Sequence, residues 1–429
     1  MAPIFGIDFG TSNSAVSVSK NNTVTLLNVD PENPISNSLK SILYFLKQGG
    51  DTRSFVGYEG VRQYIENEAE GRYMQSIKTF LPDTGFEKTS IYGKTYTLEE
   101  LISIFLKVMK ERGERLINEE VTDLVLGRPV IFSQDRVREQ TAQDRLIRAA
   151  HLAGFKNVDF QMEPIAAALA HEKSMAHGKE EIVLVGDFGA GSSDFTIHRA
   201  RQGAGKTMDQ RQKDILSVGG VYIGGDNFDS MIMREKIAWH YGRDVEVKSM
   251  FSDNLTGLSP LVIRRLMQWH LIPQLRRPAT LNNIKELKVG AKLRDKKRLE
   301  NLENLIHSNY GYLLFKAIEK AKCGLSDHGS AQVVFNDSGM AIDEPVFRKE
   351  FETMIQEEIA SLDQCIDQTL SNAGLEPDDI DLVFLTGGSS YIPLIRALFE
   401  EKIGHQKIRI GDAFTSVAYG LGLYASFLA

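Results

Sequence analysis

The sequence carries one short plan twice, at residues 4–19 and 182–197. In each copy an apolar segment leads into Asp-Phe-Gly, a turn of small and hydroxyl residues follows, and a segment of alternating polarity comes next. Asp8 and Asp187 hold the same position in the two copies. Because short apolar and alternating segments indicate strands, each copy is predicted to be a strand–turn–strand unit. The repetition predicts a duplicated architecture.

The two turns contain residues that suit a bound phosphate. Glycine allows backbone geometry that other residues resist, and a tight polar turn directs N–H groups and hydroxyls to one point. An acid at a strand end suits a magnesium ion held through water. The predicted phosphate residues are Gly10, Thr11, Ser12 and Asn13 in the first turn and Gly189, Ala190, Gly191 and Ser192 in the second. The predicted metal residues are Asp8 and Asp187, and the alternative is a pair of ordinary glycine turns between core strands.

Composition limits the class of protein. A length of 429 residues favours two domains or lobes. The net charge of −7 argues against a nucleic-acid-binding surface. The two cysteines form neither a metal-binding spacing nor a disulfide framework. Since the sequence has no basic signal region and no apolar run of membrane-spanning length, we expect a cytoplasmic protein with neither membrane nor nucleic acid as partner.

Strand and helix patterns alternate along the first half of the chain, which predicts the α/β class. Leu98 to Leu116 has an amphipathic helical pattern. Asp135 is a candidate N-cap for a helix that runs to Ala153, and Glu163-Pro164 begins an alanine-rich helix. Further predictions are an exposed hairpin tip over 199–214 and helices over 294–326, 347–373 and 415–428.

The paired motifs resemble the actin-like ATPase superfamily, and residues 6–14, Gly-Ile-Asp-Phe-Gly-Thr-Ser-Asn-Ser, resemble the opening of DnaK-type (heat-shock 70-kDa) chaperones. The resemblance implies a two-lobed, ribonuclease-H-like fold that binds ATP or ADP with Mg²⁺ in the cleft between the lobes. It implies lobe I at 1–180, with a terminal helix at 410–429 returning to it. Lobe II is expected at 181–409, with a variable helical subdomain around 225–326.

The resemblance also implies catalytic roles for Lys78, Glu163, Asp187 and Ser192. Lys78 lies in Ile-Lys-Thr-Phe-Leu, where the family places a lysine near the γ-phosphate, and an ammonium there stabilises the charge on the transferred group. Glu163 matches a family glutamate that orients metal-bound or attacking water. The alternatives are a solvated surface lysine and an acid favoured by the dipole at a helix N-terminus.

Three further segments match the family's nucleotide contacts. Gly224, Gly225 and Asp226 resemble a phosphate loop, since glycines before a helix let backbone N–H groups approach a phosphate. Glu319 and Lys322 resemble a nucleoside clamp on one helix face, with Ser326 beyond them. Their alternative is an ordinary surface ion pair. Gly387, Gly388 and Ser389 resemble the turn on the adenosine side.

Several positions depart from the family pattern. Cys323 and Tyr391 stand where DnaK-type proteins have arginines that stack on adenine, and Tyr391 is predicted to stack as an aromatic plane instead. Ala190 replaces a glycine of the second phosphate turn. Phe414, Thr415 and Ser416 stand where the family has acidic residues. No linker or β-rich peptide-binding domain is expected after Ala429, so the chain resembles stand-alone, YegD-like members.

The sequence therefore predicts slow ATP hydrolysis coupled to a nucleotide-gated conformational switch, in a chaperone-like protein that acts with an unidentified protein partner or co-chaperone. One alternative is a sugar-type kinase of the same superfamily, which sugar-stimulated turnover would reveal. A second is an actin-like filament protein, detectable by nucleotide-dependent light scattering. A third is an ATP binder without hydrolysis, suggested by Cys323 and Tyr391. The role of residues 247–297 is not assigned.

Overall fold

A computed structural model describes residues 2–67, 70–202, 211–248, 255–308, 310–337, 340–410 and 415–428. Residues 203–210, half of the predicted hairpin tip at 199–214, lie outside the described residues, as do Phe414 and Ala429. Helices and sheets are mixed along the chain, which confirms the α/β class.

The strands are β1 (Ile4–Asp8), β2 (Asn13–Lys20), β3 (Thr23–Leu27), β4 (Leu39–Lys40), β5 (Ile42–Gln48), β6 (Asp51–Val56), β7 (Arg72–Gln75), β8 (Lys88–Ile91), β9 (Lys94–Thr97), β10 (Asp123–Arg128), β11 (Asn157–Met162), β12 (Glu180–Phe188), β13 (Ser193–Arg201), β14 (Ile215–Val221), β15 (Glu246–Lys248), β16 (Leu255–Gly257), β17 (Ser330–Asp337), β18 (Met340–Phe347), β19 (Leu382–Thr386) and β20 (Ile408–Ile410).

The α-helices are α1 (Tyr58–Glu66), α2 (Leu98–Ile117), α3 (Arg136–Leu152), α4 (Glu163–Ser174), α5 (Gly225–Ile232), α6 (Pro260–Leu266), α7 (Pro278–Gly290), α8 (Leu293–Ser308), α9 (Gly311–Asp327), α10 (Arg348–Met354), α11 (Gln356–Ala373), α12 (Pro393–Lys402) and α13 (Ser416–Leu428). Short 3₁₀ turns occur at Ile77–Phe80, Ala238–Tyr241, Trp269–Arg276, Pro377–Asp379, Gly388–Tyr391 and His405–Lys407, and a π turn at Met233–Ile237.

Two large sheets repeat one strand order. The first runs β11-β10-β1-β2-β3, and the second runs β20-β19-β12-β13-β14. In each sheet the hairpin strands pair antiparallel and the two later strands add in parallel beside the first hairpin strand. Asp8 ends β1 and Asp187 lies one residue before the end of β12, so equivalent acids leave equivalent strands. The division into lobes at 180 and 409 stays a prediction.

Each large sheet has its own hydrophobic core. Helix α13 packs on the first large sheet. This terminal helix contacts α4 and strands β1, β2, β3 and β10. Its Gly420 permits the close approach, because a Cβ there would lie 1.8 Å from the carbonyl oxygen of Ala166. Ser17 Oγ also donates to the carbonyl oxygen of Ala418 at 2.6 Å. The last helix thereby fixes strands that lead into the first polar turn.

Most predicted helices begin and end where the sequence indicated. The Asp135 side chain caps α3 by accepting from the N–H groups of Val137 and Arg138. Two long helices were predicted wrongly as continuous: 294–326 is divided into α8 and α9, and 347–373 into α10 and α11 at Ile355. Apolar residues keep a helical phase on both sides of each break, as Leu305 and Ile306 do with Leu313 and Leu314, so helical periodicity did not reveal the breaks. Among the described residues no helix is long and apolar enough to cross a membrane.

Candidate functional site

The polar turns of both large sheets line a cavity of about 1130 Å³. Most predicted site residues line it, and they come from distant parts of the chain. These are Asp8, Gly10, Thr11, Ser12, Asn13, Lys78, Glu163, Asp187, Gly189, Ala190, Gly191, Ser192, Gly225, Asp226, Glu319, Lys322, Ser326, Gly387, Gly388 and Ser389. Gly224 and Tyr391 do not line the cavity. Their separate roles remain predictions.

Lys78 and Glu163 form an ion pair within the cavity. Lys78 Nζ lies 2.7 Å from Glu163 Oε1, and each side chain is 12% exposed. Lys78 lies in the 3₁₀ turn that follows Ser76, whose φ is +58°, and Glu163 is the first residue of α4. Although burial lowers the pKa of Lys78, attraction from Glu163 and Asp8 raises it overall. Lys78 is therefore a buried, charged group and not a solvated surface lysine.

Three aspartates, Asp8, Asp187 and Asp194, line the same cavity, and the negative charge of Glu163 acts on each of them. Burial, followed by repulsion from Glu163, raises the pKa of Asp8 to about 7 and that of Asp187 to about 8. Burial also raises the pKa of Asp194 to about 6, against a hydrogen bond from Ser192 Oγ at 3.2 Å. Lys78 lowers all three pKa values but does not offset the burial. This part of the cavity carries more carboxylates than cations.

The carboxylate set fits a hydrated magnesium ion. The carboxyl groups of Asp8, Glu163, Asp187 and Asp194 line this part of the cavity with Lys78, and a divalent cation would offset the negative charge that they bring together. No group of three or more His, Cys, Asp or Glu side chains among the described residues is arranged to ligate a metal directly. Mg²⁺ commonly keeps several waters and uses only one or two carboxylates, so Asp8 and Asp187 are suitable residues to hold it.

Glycines allow the turns to approach each other closely. A Cβ on Gly10 would lie 2.1 Å from the carbonyl oxygen of Asn13. Gly387 has a φ of +85°, and a Cβ there would lie 2.1 Å from the carbonyl oxygen of Phe188. Neither position has room for a larger residue. The backbone geometry of the first turn and of the turn after β19 thus depends on glycine.

Two backbone N–H groups of the Gly224–Asp226 segment donate hydrogen bonds to carbonyl oxygens of the second polar turn. Gly225 N donates to the carbonyl oxygen of Gly189 at 3.0 Å, and Asp226 N donates to that of Ala190 at 2.7 Å. A Cβ on Gly224 would lie 2.5 Å from the carbonyl oxygen of Ala190. In this conformation the segment supports the predicted second phosphate turn. The sequence had predicted that its N–H groups bind a phosphate directly.

Sequence comparison with known proteins identifies the family of this chain. The family model described as Hsp70 protein matches residues 82–256 and 297–429, which together exceed half of the chain. The chain belongs to the Hsp70 family. The chaperone protein DnaK of Thermosipho africanus (strain TCF52B) is 27% identical over 433 residues, and that of Thermotoga maritima is 27% identical over 437. Each alignment covers 99% of this chain and 59% of the relative.

In this Hsp70-family chain the two residues of the predicted nucleoside clamp, Glu319 and Lys322, are paired with other residues and not with each other. Glu319 pairs with Lys316 at 2.5 Å, and Lys322 pairs with Asp229 at 2.9 Å. Lys322 Nζ also donates to the carbonyl oxygen of Gly225 at 2.9 Å. The three-residue spacing does put Glu319 and Lys322 in one cavity, but each has its own partner. Because those partners come from a turn earlier in α9 and from α5, sequence spacing did not indicate them.

Other cavity residues of this Hsp70-family chain were missed by sequence reasoning. Lys40, Asp194, Asp229 and Lys316 line the cavity. Asp194 had a visible signal, since it lies in the second repeated unit and faces Asp187 across the β12–β13 pair. Lys40 had none, because β4 is two residues long. Cys323 lines the cavity as expected for its place in α9, while Tyr391 is 46% exposed outside it.

Proposed function

We propose that this chain binds ATP and ADP with Mg²⁺, hydrolyses ATP slowly, and acts as a nucleotide-gated conformational switch. The observation that carries the proposal is the Lys78–Glu163 ion pair, set among Asp8, Asp187 and Asp194 between two glycine turns. Phosphoryl transfer needs charge neutralisation and positioning more than covalent chemistry by the protein. The cavity supports both needs, and membership of the Hsp70 family supports a nucleotide as the ligand.

Each charged residue has a proposed task in hydrolysis. The Lys78 ammonium stabilises charge that develops on the transferred phosphoryl group. Glu163 orients the attacking water and, through its ion pair, fixes the position of Lys78. Asp187 holds the magnesium ion through its water shell. Ser192, whose Oγ is hydrogen-bonded to Asp194, contacts the phosphates. A bound magnesium ion supplies charge neutralisation for the phosphates.

The biological role is proposed more coarsely. The chain spans 59% of the length of the DnaK relatives that it matches, so the activity and partners of those whole proteins are not transferred. We propose a chaperone-like role in the cytoplasm in which nucleotide state controls the affinity for a protein partner. Residues 257–296, which the family model does not match, are a region where such a partner interface would differ from that of DnaK.

Calorimetric titration with ATP and ADP, with and without Mg²⁺, tests binding, and phosphate release tests hydrolysis. We expect Lys78→Ala to reduce phosphate release by at least about a hundredfold while binding changes much less. Lys156→Ala, at an exposed lysine on the surface, is the matched control and is expected to leave both measurements unchanged. Absence of nucleotide binding by the wild type would contradict the whole proposal.

A second candidate function is nucleotide binding without hydrolysis. It is favoured by the nucleoside end of the cavity, where Cys323 provides no stacking plane and Tyr391 lies outside the lining. Tight magnesium-dependent binding with no phosphate release above the Lys78→Ala background would support this candidate over the switch ATPase.

A further inference from the structure

Lys40 is a buried lysine that the proposed mechanism does not use. It lies on β4, which pairs with β2 so that Lys40 is opposite Asn13 of the first turn. The next residue binds that turn twice: Ser41 N donates to the carbonyl oxygen of Ser12 at 2.9 Å, and Ser41 Oγ donates to that of Gly10 at 2.7 Å. The backbone of Lys40 is therefore fixed to the first polar turn, and its side chain lines the cavity.

The Lys40 ammonium has no partner in the part of the chain that the structure describes. The residue is 9% exposed, and burial lowers the pKa of its amine. The groups that face it across the cavity are Glu319, Lys316, Asp226 and Cys323. Leaving a charged group buried without a counter-charge is unfavourable. Lys40 thus differs from the other cavity lysines, Lys78, Lys316 and Lys322, which lie 2.7, 2.5 and 2.9 Å from carboxylates.

Glu319, the acid with the largest electrostatic effect on Lys40, does not supply the missing counter-charge. Glu319 is bound to Lys316 at 2.5 Å. Although burial raises the pKa of Glu319, the cations around it lower that pKa to about 2, so the carboxylate stays charged. Lys40 is one of those cations, yet no ion pair joins the two side chains in the described structure. The counter-charge for Lys40 is expected from a ligand.

We propose that Lys40 binds a phosphate oxygen of the nucleotide and acts, beside the first turn, as a phosphate-binding lysine in addition to Lys78. This inference rests on the proposed function and names a ligand contact that the sequence motifs do not include. An ammonium–phosphate hydrogen bond satisfies both charges. Because Lys40 also faces α9, the same contact would connect the first sheet to the nucleoside side of the cavity when nucleotide is bound.

The experiment compares wild type with Lys40→Met by calorimetry, using adenosine, AMP, ADP and ATP as ligands. We expect adenosine to bind both proteins equally, and at least one phosphorylated ligand to bind Lys40→Met about tenfold or more weakly. The first ligand in the series that shows the loss identifies the phosphate that Lys40 contacts. Lys40→Arg, which keeps the charge, should recover part of the loss. Lys47→Met, on an exposed residue of β5, is the matched control.

The outcomes separate this inference from the proposed function. Normal binding of all four ligands by Lys40→Met would overturn the role of Lys40 and leave nucleotide binding intact. An equal loss for adenosine and ATP would also overturn it, because a structural role would not depend on phosphate. Failure of the wild type to bind any of the ligands would overturn both proposals together.

A second measurement needs no variant and applies if Lys40→Met does not fold. Wild-type protein is labelled briefly with an amine-acylating reagent, and modification of each lysine is measured by mass spectrometry. We expect ATP and ADP to reduce labelling of Lys40 at least about fivefold, because an ammonium bound to phosphate is protonated and shielded, whereas adenosine has little effect. Lys47 should label equally in every sample. Equal protection of Lys40 by adenosine and ATP would contradict a phosphate contact.

Discussion

The two ends of the cavity differ in how they are built. At the phosphate end, glycine turns hold the backbone close together, and carboxylates follow strands at equivalent positions in two sheets. At the proposed nucleoside end, long side chains from α5 and α9 form ion pairs that the spacing of Glu319 and Lys322 does not indicate. A backbone geometry that requires glycine can be recognised in the sequence, whereas the ion-pair partner of a long side chain cannot. We therefore expect the phosphate end to follow the Hsp70 pattern more closely than the nucleoside end.

The largest expected effect tests the phosphate end. We predict that Asp187→Asn lowers phosphate release at least about a hundredfold and removes most of the gain in ATP affinity that Mg²⁺ provides. The physical reason is that Asp187 carries one of the charges that attract the cation. The measurements are phosphate release and titration of ATP with and without Mg²⁺.

Asp159→Asn is the matched control for that variant, because Asp159 is an exposed aspartate on β11. It should behave as wild type. If Mg²⁺ still increases ATP affinity in Asp187→Asn, the two repeated aspartates do not have equivalent roles. The two sheets would then share a fold at the phosphate end but not a function in metal binding.

The same aspartate should make the metal-free protein sensitive to pH. Because the folded-state pKa of Asp187 is raised to about 8 and that of Asp8 to about 7, the folded state keeps protons that the unfolded state releases above about pH 4. Stability should therefore fall as pH rises from 5 to 9. Both side chains are partly accessible from the cavity, so solvent screening reduces the loss well below what the full pKa shifts would give, to on the order of 1–2 kcal/mol.

Thermal melting in EDTA between pH 5 and 9 measures this loss, with the difference between wild type and Asp187→Asn isolating Asp187. The variant should melt higher than wild type at pH 8.5, and saturating Mg²⁺ with ATP should flatten the wild-type curve. Identical pH dependence in the two proteins would contradict the raised pKa of Asp187. It would mean that other contacts stabilise the charged form of its carboxylate.

The sequence predicted the parts of the site that rest on local constraints. The Asp-Phe-Gly units indicated the hairpins that carry Asp8 and Asp187, and Glu163-Pro164 marked the start of α4, where Glu163 meets Lys78. The family resemblance was needed to single out Lys78, because a lysine in a short turn has no pattern of its own. The pairing of Glu319 with Lys316 depends on which helical neighbour is closer, and spacings of three residues in either direction are equally plausible in the sequence.

The sequence was less informative wherever an element is short or interrupted. Lys40 lies on a two-residue strand whose position is fixed by Asn13 and Ser14 on the far side of the hairpin, so its burial depends on tertiary contacts. The boundary between α8 and α9 separates apolar positions that keep one helical phase, so the periodicity predicted one helix in spite of the turn residues in Ser308-Asn309-Tyr310-Gly311. Packing between distant segments decided the burial of Lys40, and local propensity gave no warning of it.

The nucleoside end can be tested by restoring the family residue. We predict that Cys323→Arg increases the preference for ATP over GTP about tenfold, because a guanidinium in α9 can stack on a purine and favour one set of base substituents. The wild type, which lacks that group, should discriminate between the two nucleotides only about threefold or less. Calorimetric titration of both proteins with ATP and GTP gives the two ratios.

Cys323→Ser is the size-matched control and should leave the ratio unchanged. A wild type that already prefers ATP by more than about a hundredfold would reverse the comparison between the two ends. It would mean that other residues of the cavity recognise the base, and that the nucleoside end is specific in spite of its departures from the family pattern.

The smallest expected effect concerns Tyr391. The sequence predicts that its ring stacks on the base, but it is 46% exposed and does not line the cavity, although Ser389 in the same 3₁₀ turn does. We therefore expect Tyr391→Ala to change ATP affinity less than about threefold, and Tyr391→Phe to have no effect, since stacking interactions are worth about 1–3 kcal/mol when they are made. A tenfold loss in Tyr391→Ala, rescued by Tyr391→Phe, would mean that nucleotide binding draws the ring into the cavity. The nucleoside end would then be completed by its ligand, in contrast to the preformed turns of the phosphate end.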